Sequence, residues 1–165
     1  MARERESLQK LYIEQLQDLW SAEEQILEAL PKMAEKSKHA ELKRAFQMHY
    51  QQTEQQVQRL EQIFGELGEK PGGHKCKGME GLVKEGEETM TEFRDSDVLD
   101  AALIAAAQRV EHYEMAGYGC ARTYAHLLGL QEQAQLLQRT LDEEGDTDQK
   151  LTDLAETVVN IDALK

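Results

Sequence analysis

Four stretches of the chain repeat apolar side chains at helical spacing, and polar residues break each repeat near its midpoint. The first, Ser7 to Lys38, sets Leu8, Tyr12, Leu19, Ile26 and Leu30 on one face and passes through Glu23. The second, Glu41 to Leu67, reads Leu42, Phe46, His49, Thr53, Gln56, Leu60, Ile63, Leu67. The third, Asp97 to Leu128, reads Leu103, Ala107, Val110, Glu114, Gly117, Ala121, Tyr124, with Glu111 one turn before Glu114. The fourth, Gln131 to Val159, reads Leu137, Leu141, Glu144, Asp148, Leu151, Ala155, Val158. A chain of 165 residues with only two prolines and this wealth of Glu, Gln, Leu, Ala and Lys is expected to be all-α. Its length is that of one domain, spanning 1–165.

The punctuation suggests how the segments connect. Pro31 should kink or end the first helix, Ser96 or Asp97 should cap the third, and Gly129 should stop it. Very short links join the first helix to the second and the third to the fourth, so each pair should form an antiparallel hairpin. Between the pairs lies Gly68-Glu-Lys-Pro-Gly-Gly73, followed by Met79, Leu82, Val83, Gly86, Met90 and Phe93 at helical spacing. That pattern predicts an exposed loop and then a short extra helix. Two antiparallel hairpins with a long crossover make a ferritin-like four-helix bundle.

Antiparallel packing brings the helix midpoints to one level, where Glu23, Glu111, Glu114, Glu144 and Asp148 should converge. A buried carboxylate costs several kcal/mol unless it is paired, protonated or bound to a cation. Five together call for neutralisation. Two divalent metals bridged by carboxylates, roughly 3.5–4 Å apart, would supply it. A single carboxylate on a seam is what an acidic composition gives by accident, and a metal-free polar layer is the plain alternative. Interruptions on four helices at one level favour the metal. His49, Gln52 and Gln56 share the facing side of the second helix. Tyr113 and Tyr118 could approach the metals and take part in radical chemistry, though plain packing is the role more expected of them. His112 and His126 face away, and Cys76 and Cys120 read as ordinary thiols.

A formal net charge of −13 argues against nucleic acid as a partner, and no basic stripe offsets it. No apolar run approaches a membrane span or a secretion signal, and two cysteines give no disulfide framework. The expected setting is a reducing cytoplasm.

Ser21-Ala-Glu-Glu-Gln25 followed by Ala-Leu-Pro-Lys-Met33, Arg59-Leu-Glu61, Cys76-Lys-Gly-Met-Glu-Gly-Leu82 and Arg109-Val-Glu-His-Tyr-Glu114 resemble the bacterial YciF/YciE family of ferritin-like stress proteins. The likeness runs from about Leu8 to Glu156. It implies a rubrerythrin-like fold, a homodimer, a link to stress, and reaction with a small oxidant, hydrogen peroxide or dioxygen. By the same likeness Glu23, Glu111, Glu114 and Glu144 match the metal carboxylates, with Glu23, Glu114 and Glu144 the candidate catalytic groups. The second helix departs from the family's wider Glu-x-x-His pattern, offering His49, Gln52, Thr53 and Gln56 instead. The fourth has Asp148 where rubrerythrins place a histidine. The expected ligand set is therefore Glu23, His49, Gln52, Gln56, Glu111, Glu114, Glu144 and Asp148. Such oxygen-rich ligation suits two Fe or Mn ions. A non-catalytic dimeric stress protein, with a structural or sequestered metal, is the competing expectation.

Overall fold

The computed structural model describes residues 2–165, with side chains from residue 6 onward; Met1, the first residue of the expected domain, lies outside them. The described residues form helices and no strand. These are α1 (Ala2–Lys36), α2 (Ala40–Leu67), α3 (Lys77–Glu92), α4 (Leu99–Leu128) and α5 (Gln131–Leu154). A π-helical turn, Ala155–Val159, and a short α turn, Asn160–Asp162, extend α5.

Pro31 does not end α1. Its ring lies on the exposed side, while Leu30, Met33 and Ala34 around it are buried. An internal proline costs about 3 kcal/mol, and burying a large apolar side chain returns about 1.5–3 kcal/mol. Packing of the turn beyond Pro31 therefore holds the helix together. Glycine ends α2 and α4 as expected: Gly68 and Gly129 adopt φ 70° and 81°, conformations a side chain would strain. The third long helix starts at Leu99, two residues beyond the predicted Asp97. Ser96 Oγ accepts from Val98 N–H at 3.3 Å, whereas exposed Asp97 lies 3.9 Å from Lys38 Nζ. The helix predicted to reach Val159 keeps α geometry only to Leu154, then widens. The short extra helix forms where Met79 to Phe93 predict it; Met79 is fully buried, and Leu82, Val83, Met90 and Phe93 pack on the core.

Helix α1 packs chiefly on α2, and α4 on α5, while α3 lies over α1 and α4. The seam between α2 and α5 is looser. The apolar core falls into two halves. One gathers Ile26, Leu30, Leu42, Phe46, Leu103 and Leu151. The other gathers Leu16, Leu19, Leu60, Ile63, Ala121 and Leu137. Residue numbers rise from one half to the other along α2 and α4, and fall along α1 and α5. A polar layer lies between.

Candidate metal centre

Each long helix sends its mid-seam polar residue into that layer. Glu23 from α1, His49 and Gln56 from α2, Glu111 and Glu114 from α4, and Glu144 from α5 are all buried. His49, Glu111, Glu114 and Glu144 can each offer a donor atom within 4.8 Å of the other three. His49 Nε2 lies 3.2 Å from Glu111 Oε1 and 3.8 Å from Glu144 Oε2. Gln56 Nε2 donates to Glu144 Oε1, and the Tyr118 hydroxyl donates to Glu23 Oε1. Thr53, also buried, turns its hydroxyl back onto the His49 carbonyl at 2.9 Å, so it adds no acceptor to the centre.

Much of this donor set makes no hydrogen bond, although His49 Nε2 stands close to Glu111 and Glu144. Glu23 Oε2, Glu111 Oε2, both oxygens of Glu114, Glu144 Oε2, Gln56 Oε1 and both ring nitrogens of His49 are buried without a hydrogen bond. Buried polar atoms are nearly always satisfied, so orphans gathered at one point ask for a ligand. Burial, and then the Glu144 charge, pushes Glu23 up to about 8. Burial pushes Glu111 up to about 7 despite its contact with Glu144. Burial followed by the Glu23 charge holds Glu114 well above the usual carboxylate range, and burial does the same to Glu144. The chemistry fits a divalent cation. Carboxylate and amide oxygens with one imidazole suit a hard or borderline ion, whose charge would offset the burial and mutual repulsion that raise these groups.

Gln52 and Asp148 stand outside this gathering. Gln52 is half-buried along a groove between α2 and α5. It lies one turn before Gln56, and the helical twist carries it off the buried face. Asp148 accepts from Gln108 Nε2 at 3.1 Å and lies 3.3 Å from His112 Nε2, so its charge is spent at the rim. His112 and His126 are exposed, as their spacing predicts.

The polar framework around the centre is less visible in the sequence. Arg59 grips Glu143 with two bonds, 2.6 and 2.7 Å, and reaches Thr140 at 2.9 Å. Gln56 Nε2 is also 3.4 Å from Glu143 Oε2, which ties this candidate ligand to the fork. The only sequence hint is a basic residue on the otherwise apolar Val57–Leu60 face. On the other side of the bundle, the Tyr113 hydroxyl donates to Asp18 Oδ2 at 2.8 Å and lies 3.0 Å from Cys76 Sγ. Cys76 caps α3, accepting from Met79 N–H at 3.3 Å, and its thiol donates to Asp18 at 3.3 Å. Burial pushes that thiol up, so the sulfur is structural. Tyr118 therefore touches a candidate ligand, and Tyr113 braces the crossover.

Helices alone, a core cut in two by buried carboxylates, and one histidine among them define an all-α bundle protein with a candidate internal metal site. The chain belongs to the family described as "Domain of unknown function (DUF892)", whose model matches residues 7–164. It is 44% identical over 155 residues to Protein YciF of Escherichia coli (strain K12), covering 93% of each sequence. The crystal structure of the E. coli stress protein YciF superposes with a TM-score of 0.88 at 44% identity, over 93% of this chain and 97% of that one. YcfI, a putative structural protein from Rhodopseudomonas palustris, gives 0.85 at 41% identity, over 88% and 92%. A protein of Xanthomonas campestris pv. campestris shares the fold at 22% identity and a TM-score of 0.75, over 94% and 95%. The resemblance to the YciF family read from the sequence is borne out.

Proposed function

We propose that this chain is a stress protein built as one ferritin-like domain, two antiparallel hairpins joined by the α3 crossover, around a centre of two Fe or Mn ions. The carrying observation is the set of orphaned buried donor atoms on Glu23, His49, Gln56, Glu111, Glu114 and Glu144. His49, Glu111, Glu114 and Glu144 would hold one ion. Glu23 and the free Gln56 oxygen would help to hold the second. Bound there, such ions would supply electrons to hydrogen peroxide or dioxygen. The chain's own contribution is to exclude bulk water from Glu114 and Glu144, fix Gln56 through Glu143 and Arg59, and hold a proton between Tyr118 and Glu23. Glu23, Glu114 and Glu144 are the groups we place at the reacting centre. A cytoplasmic homodimer is the form in which we expect it to work.

No helix among the described residues is long and apolar enough to cross a membrane. The competing reading, a metal that serves structure alone, draws support from the relative described as a putative structural protein. Metal analysis and peroxide turnover separate the two. Protein prepared without chelator should carry Fe or Mn, and Glu114→Ala or Glu144→Ala should abolish tight binding while the helices persist. Exposed Glu132→Ala is the matched control. Unchanged metal in both site variants would refute the site. Loaded wild-type protein should also consume peroxide over many turnovers, about tenfold faster than Glu114→Ala; a loaded protein inert to peroxide and dioxygen would leave the structural reading.

A further inference from the structure

His49 and Glu111 face two different spaces. On one side a groove of about 620 Å³ opens between α2 and α5, where Arg44, Gln52, Glu143 and Lys150 stand among apolar residues such as Phe46 and Met48. It is wide enough for a hydrated ion. On the other side lies a small cavity of about 30 Å³ under the crossover helix α3. Its walls are mostly hydrocarbon, from Ile26 and Leu30 of α1, Val83 of α3 and Ala107 of α4, and the exposed Lys32–Glu87 ion pair borders it on the solvent side. Beside these, His49 and Glu111 supply polar atoms at the end nearest the metal centre.

We propose that this cavity is a binding site for dioxygen, placed against the His49–Glu111 edge of the centre. The inference rests on the metal reading above and adds to it which oxidant uses which approach. A single water needs roughly 10–15 Å³, so the cavity takes one diatomic molecule and no organic substrate. Away from His49 and Glu111 the hydrocarbon walls give a water or a peroxide few hydrogen-bond partners to offset the loss of bulk solvent. An apolar molecule loses nothing there, because dry apolar cavities take up small apolar guests. The space exists because α3 meets the bundle through half-buried residues, and because Gly86, which borders it, brings no side chain. A Cβ at Gly86 would stand 3.9 Å from the Ala106 Cβ, an ordinary contact, so larger residues there extend into the cavity without breaking the backbone.

Xenon, an inert probe of apolar cavities, tests the site without any metal. Crystals of the metal-free protein under xenon pressure should show the atom between Leu30, Val83 and Ala107, and Gly86→Val should remove it. In iron-loaded protein the same substitution should slow oxidation of Fe(II) by dioxygen about tenfold while leaving oxidation by hydrogen peroxide within about twofold; Gly86→Ala should have a small effect. No xenon in the wild-type cavity, or equal slowing of both oxidants, would overturn the assignment. A protein that takes up xenon here but binds no metal would instead refute the metal centre and leave an apolar site.

Discussion

Asp100 illustrates how a buried acid can be structural. It is 6% exposed in the first turn of α4, yet its carboxylate has ample partners. Lys38 N–H donates to Oδ1 at 2.9 Å and His39 N–H to Oδ2 at 2.6 Å, which pins the α1–α2 link to α4. Glu114, by contrast, is fully buried with both oxygens unpartnered. Burial is similar in the two; satisfaction differs, and that difference marks Glu114 as a candidate ligand. Asp100→Ala should cost about 2 kcal/mol, since two backbone donors lose a charged acceptor, and should leave metal content intact. Glu114→Ala should do the reverse, losing metal while the metal-free fold keeps or gains stability. Chemical denaturation beside metal analysis checks both halves.

Among the elements, α3 depends most on close fits. Its first turn is tied to α1 by Cys76 N–H donating to Ser21 Oγ at 2.9 Å and Gln25 Nε2 donating to the Cys76 carbonyl at 3.1 Å. Gly78 lets the Tyr113 ring lie across that turn: a Cβ there would come within 2.6 Å of the ring. Gly78→Ala sets two effects against each other. The helix gains about 0.8–1 kcal/mol in propensity, but overpacking a rigid ring costs about 1–3 kcal/mol. The variant should be net destabilised, with Tyr113 displaced from Asp18, and thermal melts would record it. The existence of α3 was legible, because the Met79 to Phe93 spacing is long and regular. Its fastenings were not, since Asp18, Ser21 and Cys76 sit far apart in sequence with no periodicity to link them. Similarly, Pro31 carries a strong local stop signal that packing on both sides overrides.

At the scale of the whole molecule, the mid-seam interruptions were the informative signal because each broke a long apolar pattern at one height. Glu23, His49, Gln56, Glu111, Glu114 and Glu144 could be read that way. Gln52 and Asp148 lie a turn away on the same seams, and the helical twist that leaves them half-buried at the rim is smaller than sequence spacing resolves. The gathered acids also set how the metal-free protein responds to pH. Glu111 and Glu23 have folded-state values raised to about 7 and about 8. Their stabilising contribution is full below the ordinary carboxylate range and is lost as pH rises through those values. The Arg59–Glu143 fork has the opposite sign: Glu143 is held low, so its contribution is lost only as the solution turns acid. Metal-free protein should therefore melt at lower temperature as pH rises from about 5 to about 8. Divalent metal should reverse the trend and release protons on binding. Melting curves with and without chelator, and proton release in weak buffer, are the measurements; a flat profile would count against the crowded carboxylates.

Two apolar halves meeting across a polar layer would make a bound ion a mechanical coupling between them. Without it, the half holding Phe46 and Leu103 and the half holding Leu60 and Leu137 touch through groups that repel, so each can open with little penalty from the other. With it, four helices are clamped at mid-height and opening either end strains the other. Amide exchange should accordingly report two separate opening events in chelated protein and one concerted event in the loaded form. A cell that starves the protein of metal would then hold a looser molecule, its midsection exposed to proteases, and metal supply would set the lifetime of the chain as well as its chemistry.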